Sequence, residues 1–401
     1  MPEAPDDNPR LPRALTGRRV LVAMSGGLDS SVAALLLQRA GAEVLGVTFR
    51  NFFHAGEAGG AAPGEDPVRL ARAVCERLGA AHRAVDESLL FGRRVIEPFL
   101  AEYRAGRTPN PCVRCNQALR FPRLATLADE WDCRHVATGH YARIARVDRR
   151  DPPRVEGSCL RVETWDSCLA MATDRDKDQS YFLAAVPPRL YPRLVFPLGG
   201  VTKARARTLA KEAGLDVHER PESQDACFLA GRGLGDYLAA AGALHPGPVL
   251  GPGGEELGRH DGYELFTIGQ RRGLGVAAGE PLYVAAIEPE TATVRLGRED
   301  ELRATRIRCR EAWAAPLAAE APPPVLRAKV RYRSRPVPVR RHALAGDTLT
   351  VDLAEPVTAP APGQSLVLYH GELVIGHGII DAAEAGGEGD RRTESSRFPT
   401  A

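Results

Sequence analysis

The stretch "VLVAMSGGLDSSVAALLL", residues 20–37, constrains the fold more than any other part of the chain. A short apolar run stops at two glycines. A polar turn follows, and then an apolar run of helical length that ends at Gly41. That order predicts a buried strand, a tight loop and a helix. The next apolar run, "EVLGVTF", predicts a second strand, so the unit is strand–helix–strand and calls for a parallel α/β sheet.

The pattern continues. "PVRLARAVCERLG", "SLLFGRRVIEPFLAEYRAG", "QALRFPRLATLADEW" and "TKARARTLAKEAGL" are expected as helices, and "AHRAVD" and "RHVATGH" as strands. Residues 54–66 read as a Gly/Ala-rich loop and residues 146–170 as an irregular insertion. Beyond about residue 245, helical periodicity gives way to glycine, proline and short alternating strands, which predicts an all-β C-terminal domain, a barrel or sandwich. The expected organisation is a disordered tail at 1–17, an α/β domain at 18–215, a central domain at 216–280, a β-barrel at 281–381 and a disordered tail at 382–401.

Within the first loop, Gly26 and Gly27 let the backbone approach a ligand with no Cβ in the way, while Asp29, Ser30 and Ser31 lie at a helix start that favours an anion. The loop lacks the lysine of G-x-x-x-x-G-K-[ST], so the ordinary P-loop reading fails. The alternative is a glycine turn with an Asp or Ser cap.

No run of about eighteen apolar residues is present, so no membrane span and no membrane partner are expected. The first twenty residues hold no apolar signal core, which points to the cytoplasm. The eight cysteines are then not expected to be paired as structural disulfides. Of 53 basic residues only four are lysine (Lys177, Lys203, Lys211 and Lys329), so the arginine count alone says little about partners. Its distribution says more. In "RAKVRYRSR", Arg327, Lys329, Arg331, Arg333 and Arg335 alternate and are expected on one strand face, where phosphates would relieve their repulsion.

Cys112 and Cys115 in "RTPNPCVRCNQALRF" have the spacing of half a metal clip. Cys133 and His135 would be the other half of a zinc site. Cys227, in "ESQDACF", is the competing partner, and taken alone reads as a small buried side chain.

Taken in order, "SGGLDSS", "RTPNPCVRCNQALRF", "ATGHYAR", "KDQSYFL", "ESQDACF", "HDGYELFTIGQRRGLG", "KVRYRS" and "PGQSLVLY" resemble the tRNA-specific 2-thiouridylases, over roughly residues 18–380. The resemblance implies a PP-loop ATP pyrophosphatase domain, a small central domain and a C-terminal β-barrel. It implies a tRNA-uridine 2-sulfurtransferase that uses ATP and Mg2+ to adenylate O2 of the wobble uridine. Sulfur then replaces that oxygen, with AMP and pyrophosphate released. Cys227 would carry a persulfide received from a cysteine desulfurase or sulfur relay protein, and Cys115 would be the nucleophile, closing a Cys115–Cys227 disulfide. Arg107, Arg114 and Arg120 would lower a thiol pKa. Many members have aspartate where this chain has Cys112. The alternative for Cys112, Cys115 and Cys227 is a [4Fe–4S] cluster with one open corner.

The same resemblance implies ATP contacts from Ala23, Met24, Ser25, Gly26, Gly27, Leu28, Asp29, Ser30, Phe49 and Gly139. Asn110, Pro111 and Cys112 would flank a flipped target base. His140, Lys177, Asp178, Gln179, Arg331, Tyr332 and Gln364 would meet tRNA. The remaining alternatives are another PP-loop adenylating enzyme of the amide-ligase type and a zinc-stabilised RNA-binding protein without turnover.

Overall fold

The structure is a computed structural model, which describes residues 15–51, 66–146, 154–155, 158–159, 167–217, 226–229, 231–276, 279–315 and 325–385. Val20, Leu21 and Val22 are wholly buried. A strand apolar on both faces belongs in the middle of a parallel sheet, and β1 (Arg19–Ala23) is there. β2 (Glu43–Arg50) and β3 (Ala81–Asp86) lie on one side of it, and β4 (His135–Ala137) and β9 (Leu194–Val195) on the other, all parallel. Val20 and Val22 face a core with α1 (Leu28–Arg39) and α8 (Lys203–Glu212). Leu21 faces the opposite core, filled by Phe121, Leu124 and Leu127 of α6 (Phe121–Glu130). Helix α2 (Pro67–Arg77) is capped by Asp66, whose Oδ1 accepts from Val68 N at 3.0 Å.

Between β3 and β4 the chain forms two interrupted helices. The first is α3 (Ser88–Phe91), a π turn (Gly92–Ile96) and α4 (Glu97–Arg104). The second is α5 (Pro111–Cys115), a π turn (Asn116–Arg120) and α6. Short strands β6 (Arg154–Val155) and β7 (Ser158–Cys159) pair with each other. After α7 (Ser180–Leu183), α8 and α9 (Leu234–Ala240), a four-stranded sheet joins β10 (Gly247–Leu250), β11 (Glu256–His260), β12 (Tyr283–Glu288) and β13 (Thr293–Gly297). Strands β14 (Arg303–Ala314), β15 (Arg327–Lys329), β16 (Val337–Ala345), β17 (Thr348–Thr358), β18 (Ser365–His370) and β19 (Leu373–Glu384) then close a six-stranded barrel through β14–β19 pairing.

Five expectations are corrected. Leu15 is 1% exposed in the first core, so the packed chain begins inside the expected tail. Tyr283–Gly297 supplies β12 and β13, which join the sheet of β10 and β11 through the β10–β13 pairing, so the barrel's own strands begin at Arg303 rather than at 281. β19 continues beyond 381, because Ala382 and Ala383 still pair with Arg308 and Ile307. The region read as an irregular insertion is bounded by strands, β5 (Ala142–Arg146) running into it and β8 (Ser167–Met171) covering its end, while most of 147–166 lies outside the described residues; β5 and β8 form an antiparallel pair attached to the barrel by Leu373 opposite Ala170. Cys168, Leu169 and Ala170 are all buried there, which gives the strand its apolar reason. Finally, "RAKVRYRSR" is not one strand face. β15 stops at Lys329, and Ser334 Oγ donates to Arg331 O at 2.9 Å in a turn that redirects Arg331, Arg333 and Arg335. Most of residues 54–66, 1–17 and 382–401 lie outside the described residues. Among the described residues no helix is long and apolar enough to cross a membrane.

Barrel and α/β domain are joined by charge. Glu102 of α4 accepts from Arg107 Nε and Nη2, both at 2.8 Å, and from Arg310 Nη2 of β14 at 2.7 Å. Arg310 Nη1 also donates to Glu311 Oε1 at 2.8 Å, and Glu311 Oε2 accepts from Arg114 Nη1 of α5 at 2.7 Å. Glu311 has φ +49 at the β14 irregularity, which turns consecutive residues toward α4 and α5. Burial works to raise the Glu102 carboxyl, but the Arg107 hydrogen bonds and the charges of Arg310 and Arg107 outweigh it and hold it below its ordinary 4.5. A depressed carboxylate stabilises the fold above its unfolded pKa and loses that contribution as pH falls through the folded value. Glu102→Gln is therefore expected to cost about 1–3 kcal/mol near neutral pH. The gap in thermal midpoint between variant and wild type should narrow as pH falls below the ordinary carboxylate range and through the depressed Glu102 value. A gap independent of pH would show that the charge does not matter.

Candidate functional site

The glycine loop sits at the carboxyl edge of β1 and is braced from within. Ser30 Oγ donates to Gly27 O at 3.2 Å, Ser25 N donates to Ser30 Oγ at 3.2 Å and Gly27 N to Ser25 Oγ at 3.4 Å. Ser31 Oγ donates to Gly27 O at 2.8 Å. The Ser30 hydroxyl, expected at phosphate, is thus part of the loop's own frame. Gly26 has φ +72, and a Cβ there would lie 2.4 Å from Leu70 Cβ, so only glycine fits. Met24 and Leu28 are buried at either end, with Met24 N donating to Val47 O at 2.8 Å, and anchor the loop to the sheet. Ala23 and Phe49 are half-buried against the second core at the same sheet edge.

Gly139, expected beside adenosine, backs the loop. A Cβ on it would stand 2.6 Å from both Asp29 C and Ser30 N. Asp29 is the most heavily engaged member. Its Oδ1 accepts from Tyr141 Oη at 3.0 Å, and its two oxygens accept from Lys203 Nζ at 2.7 and 2.9 Å. Lys203 is the first residue of α8, capped by Thr202, whose Oγ1 accepts from Arg205 N at 3.3 Å. Sequence reading missed Lys203 and Tyr141 as site residues. The one available signal was that Lys203 is among four lysines in an arginine-rich chain.

A chain of contacts leads from this loop to the cysteines. His140 Nδ1 lies 2.7 Å from Thr138 Oγ1, and its ring is 5.9 Å from that of Phe121. Burial, reinforced by Arg120, pushes the imidazole down to about 3, so it is neutral at physiological pH and is not a phosphate cation. One residue before Phe121, Arg120 Nη1 donates to Asn116 Oδ1 at 3.0 Å, and the buried Asn116 donates through Nδ2 to Phe182 O at 3.1 Å. Arg120 acts on Cys112 and on Cys227.

Asn110 caps α5, its Oδ1 accepting from Val113 N at 3.2 Å, and Pro111 occupies the first turn, where its missing N–H costs nothing. Cys112 is exposed and Cys115 is 6% exposed. The short turn Cys227–Leu229 brings the third thiol to them. Phe228 enters the core that holds Cys115, with its ring centroid 5.1 Å from Phe99 and 5.1 Å from Tyr237. All three thiols are free, and Cys227 is exposed. Cys115 and Cys227, 112 residues apart in the chain, thus lie in one neighbourhood.

Two expectations about them change. Surrounding protein pushes the Cys227 thiol up to about 11, with Arg120 opposing and the other two thiols reinforcing; burial also raises Cys112. Although both cysteines present surface to solvent, enough protein walls them for desolvation to outweigh one guanidinium. Arg107 and Arg114, expected to lower a thiol, are instead paired with Glu102 and Glu311. For zinc, Cys133 is buried in a different core from Cys115, so the chain does not bring the two halves together. Among the described residues no group of three His, Cys, Asp or Glu is placed to hold a single metal ion. Magnesium asks less, because it is ordinarily held by one or two carboxylates plus substrate phosphates, and Asp29 at the loop fits that role.

The expected RNA contacts divide. Asp178 is 6% exposed. Its Oδ1 accepts from Ala172 N at 2.8 Å and its Oδ2 from Ser180 Oγ at 2.7 Å, which makes it an internal brace rather than an RNA contact. Gln179 Oε1 accepts from Tyr141 N at 2.8 Å and so supports the ATP-side loop. Lys177 is partly exposed on the same turn. Tyr332 packs on Phe182 with centroids 4.5 Å apart. Arg331 Nη2 donates to Ile268 O at 3.3 Å and to Ala359 O, tying the central domain to the barrel. Gln364 Nε2 donates to Thr108 O at 2.7 Å, holding the segment before α5.

Three family models match the chain in order: a tRNA methyl transferase HUP domain over residues 18–231, a tRNA methyl transferase PRC-barrel domain over 235–298, and an aminomethyltransferase beta-barrel domain over 301–380. Curated relatives cover nearly the whole chain. The bifunctional protein NifU/MnmA of Rubrobacter xylanophilus is 43% identical over 374 residues, 92% of this chain and 71% of that protein. The tRNA-specific 2-thiouridylase MnmA of Roseiflexus sp. is 40% identical, over 90% of this chain and 99% of that one. The tRNA-specific 2-thiouridylase MnmA of Geobacter metallireducens is 40% identical over 91% and 97%.

The site geometry makes a chemical prediction. With its thiol near 11, Cys227 should alkylate slowly at pH 7.5 and about tenfold faster per pH unit until roughly pH 11, when followed by mass spectrometry with iodoacetamide. A rate already at its plateau by pH 8 would mean that Arg120 dominates over burial.

Proposed function

The chain belongs to the tRNA-specific 2-thiouridylase MnmA family, and we propose that it catalyses ATP-dependent 2-thiolation of the wobble uridine of tRNA in the cytoplasm. The observation that carries this reading is the meeting of Cys112, Cys115 and Cys227 around Arg120, one residue from the Phe121–His140 contact that leads to the glycine loop. Adenylation and sulfur delivery need two such centres side by side.

The loop and Gly139 seat ATP, with Phe49 at the sheet edge where ligands bind in doubly wound folds. Bound magnesium offsets the triphosphate charge. O2 of the flipped uridine, between Asn110, Pro111 and Cys112, attacks the α-phosphorus and pyrophosphate leaves. The adenylated oxygen is then a good leaving group.

Exposure divides the thiol roles. Exposed Cys227 is open to a sulfur-donor protein, while Cys115, 6% exposed, is shielded from one. Cys227 receives the terminal sulfur as a persulfide. The Cys115 thiolate attacks the Cys227 sulfur, the S–S bond breaks and hydrosulfide leaves, closing a Cys115–Cys227 disulfide. Hydrosulfide adds to C2 and AMP departs. A two-electron thiol reductant restores both cysteines. No step here runs through a metal cluster.

Lys177, Arg331, Tyr332, Gln364 and the ring of neutral His140 are the proposed tRNA side. The decisive assay adds tRNA to enzyme, ATP and a persulfide donor and follows pyrophosphate and thiolated uridine. Cys115→Ser and Cys227→Ser should each lower thiolation at least 100-fold while retaining ATP binding. Thiolation by both variants would refute the site, and ATP turnover that forms an amide would favour the amide-ligase reading.

A further inference from the structure

A loop that receives a triphosphate ordinarily has a cation of its own, and this loop has none: "SGGLDSS" contains no lysine or arginine. The fold brings one from elsewhere. Lys203 reaches Asp29 from α8, 174 residues downstream, with its side chain 12% exposed, against 37% for Asp29. Its position is over-determined. Lys203 N donates to Asp174 Oδ2 at 2.9 Å, Thr202 caps the helix, and Ala206, Leu209 and Ala210 of α8 share the core with Val32 and Leu36 of α1. The ammonium also lies 5.6 Å from the Tyr141 ring, and Tyr141 itself donates to Asp29. Lys203 is one of four lysines against 49 arginines (53 basic residues less four), so the chain uses lysine at a position where it otherwise uses arginine almost everywhere. A compact ammonium on a flexible stem can change partners within a narrow space, which a planar guanidinium does poorly.

Building on the ATP-dependent reading above, we propose that Lys203 is a catalytic residue that binds the β- and γ-phosphates of ATP and the departing pyrophosphate. Before ATP enters, Asp29 and Lys203 neutralise each other. With Mg–ATP bound, the Asp29 carboxylate would hold the metal and the Lys203 ammonium would turn to the outer phosphates. The ammonium, 12% exposed, would then not be stranded without a partner. As the bond between the α-phosphorus and the bridging oxygen breaks, negative charge grows on the leaving pyrophosphate, and Lys203 stabilises it there. The alternative is that Lys203 is only a latch that shapes the loop through Asp29.

Calorimetric binding of three probes separates these: Mg–ATP, inorganic pyrophosphate and AMP. Lys203→Met should weaken Mg–ATP and pyrophosphate at least tenfold and leave AMP within twofold, because AMP lacks both outer phosphates. Lys203→Arg should recover part of the loss. If Lys203→Met weakens ATP and AMP alike, or neither, the proposal is wrong. Asp29→Asn gives an independent arm should the methionine variant fold poorly. Freed from its carboxylate, Lys203 should bind metal-free pyrophosphate more tightly than wild type does, and no gain would overturn the assignment. A wild-type enzyme that binds ATP but releases no pyrophosphate with tRNA would instead count against the thiolation reading and leave the Lys203 binding result standing.

Discussion

The segment from Arg104 to Asn110 is where three domains hold one short piece of backbone. Thr108 N donates to Pro362 O at 2.8 Å, Thr108 O accepts from Gln364 Nε2, and Thr108 Oγ1 meets Thr267 Oγ1 at 3.1 Å. Tyr263 Oη donates to Arg104 O at 2.7 Å. Two of these clamps come from the barrel and two from the central domain, and all act on the few residues that aim α5. Gly363, with φ +91, allows the close approach, since a Cβ there would stand 2.9 Å from the Thr108 backbone. Helix α5 is the first stretch of a helical run that continues through the π turn into α6, whose Phe121, Leu124 and Leu127 are packed in the second core. The clamps therefore fix the free N-terminal end of that run, where Cys112 and Cys115 lie.

The charged chain Arg107–Glu102–Arg310–Glu311–Arg114 works on the same piece from the other side. Such pairs, each about a quarter to a third exposed or less, add modest stability. Their value is geometric: a bulge in one barrel strand fixes the residue between the two cysteines. The loop at the sheet edge follows the opposite design. It is framed by its own serines and by neighbours in the same domain, so nucleotide and sulfur chemistry rest on supports of different origin.

The parallel sheet, its helices and the glycine loop were legible in the sequence because local periodicity decides them. The barrel was legible as a texture, but its first strand was not, since Tyr283–Gly297 alternates like any strand and only its partners show which sheet owns it. The one-face reading of "RAKVRYRSR" failed because Ser334 turns the chain where alternation alone would continue it. Asp178 and Lys203 show the same limit at the site. Asp178, expected to meet tRNA, is an internal acceptor, and Lys203 is invisible to local pattern because its carboxylate partner lies 174 residues away. The thiol environment was misjudged for an energetic reason, since nearby arginines with carboxylate partners of their own offer a thiolate little.

The β5–β8 hairpin bears on how the chain is made. It emerges early from the ribosome, yet its partner strand β19, joined through Leu373 opposite Ala170, is the last strand of the barrel to be synthesised. At roughly 5–20 residues per second, that leaves the outer edge of β8 without its mate for ten seconds or more. An apolar strand with an unsatisfied edge invites pairing with other chains. Cys168, Leu169 and Ala170 make β8 such a strand. Translation of this chain therefore has a vulnerable interval built in by topology, one that ends only when the barrel closes.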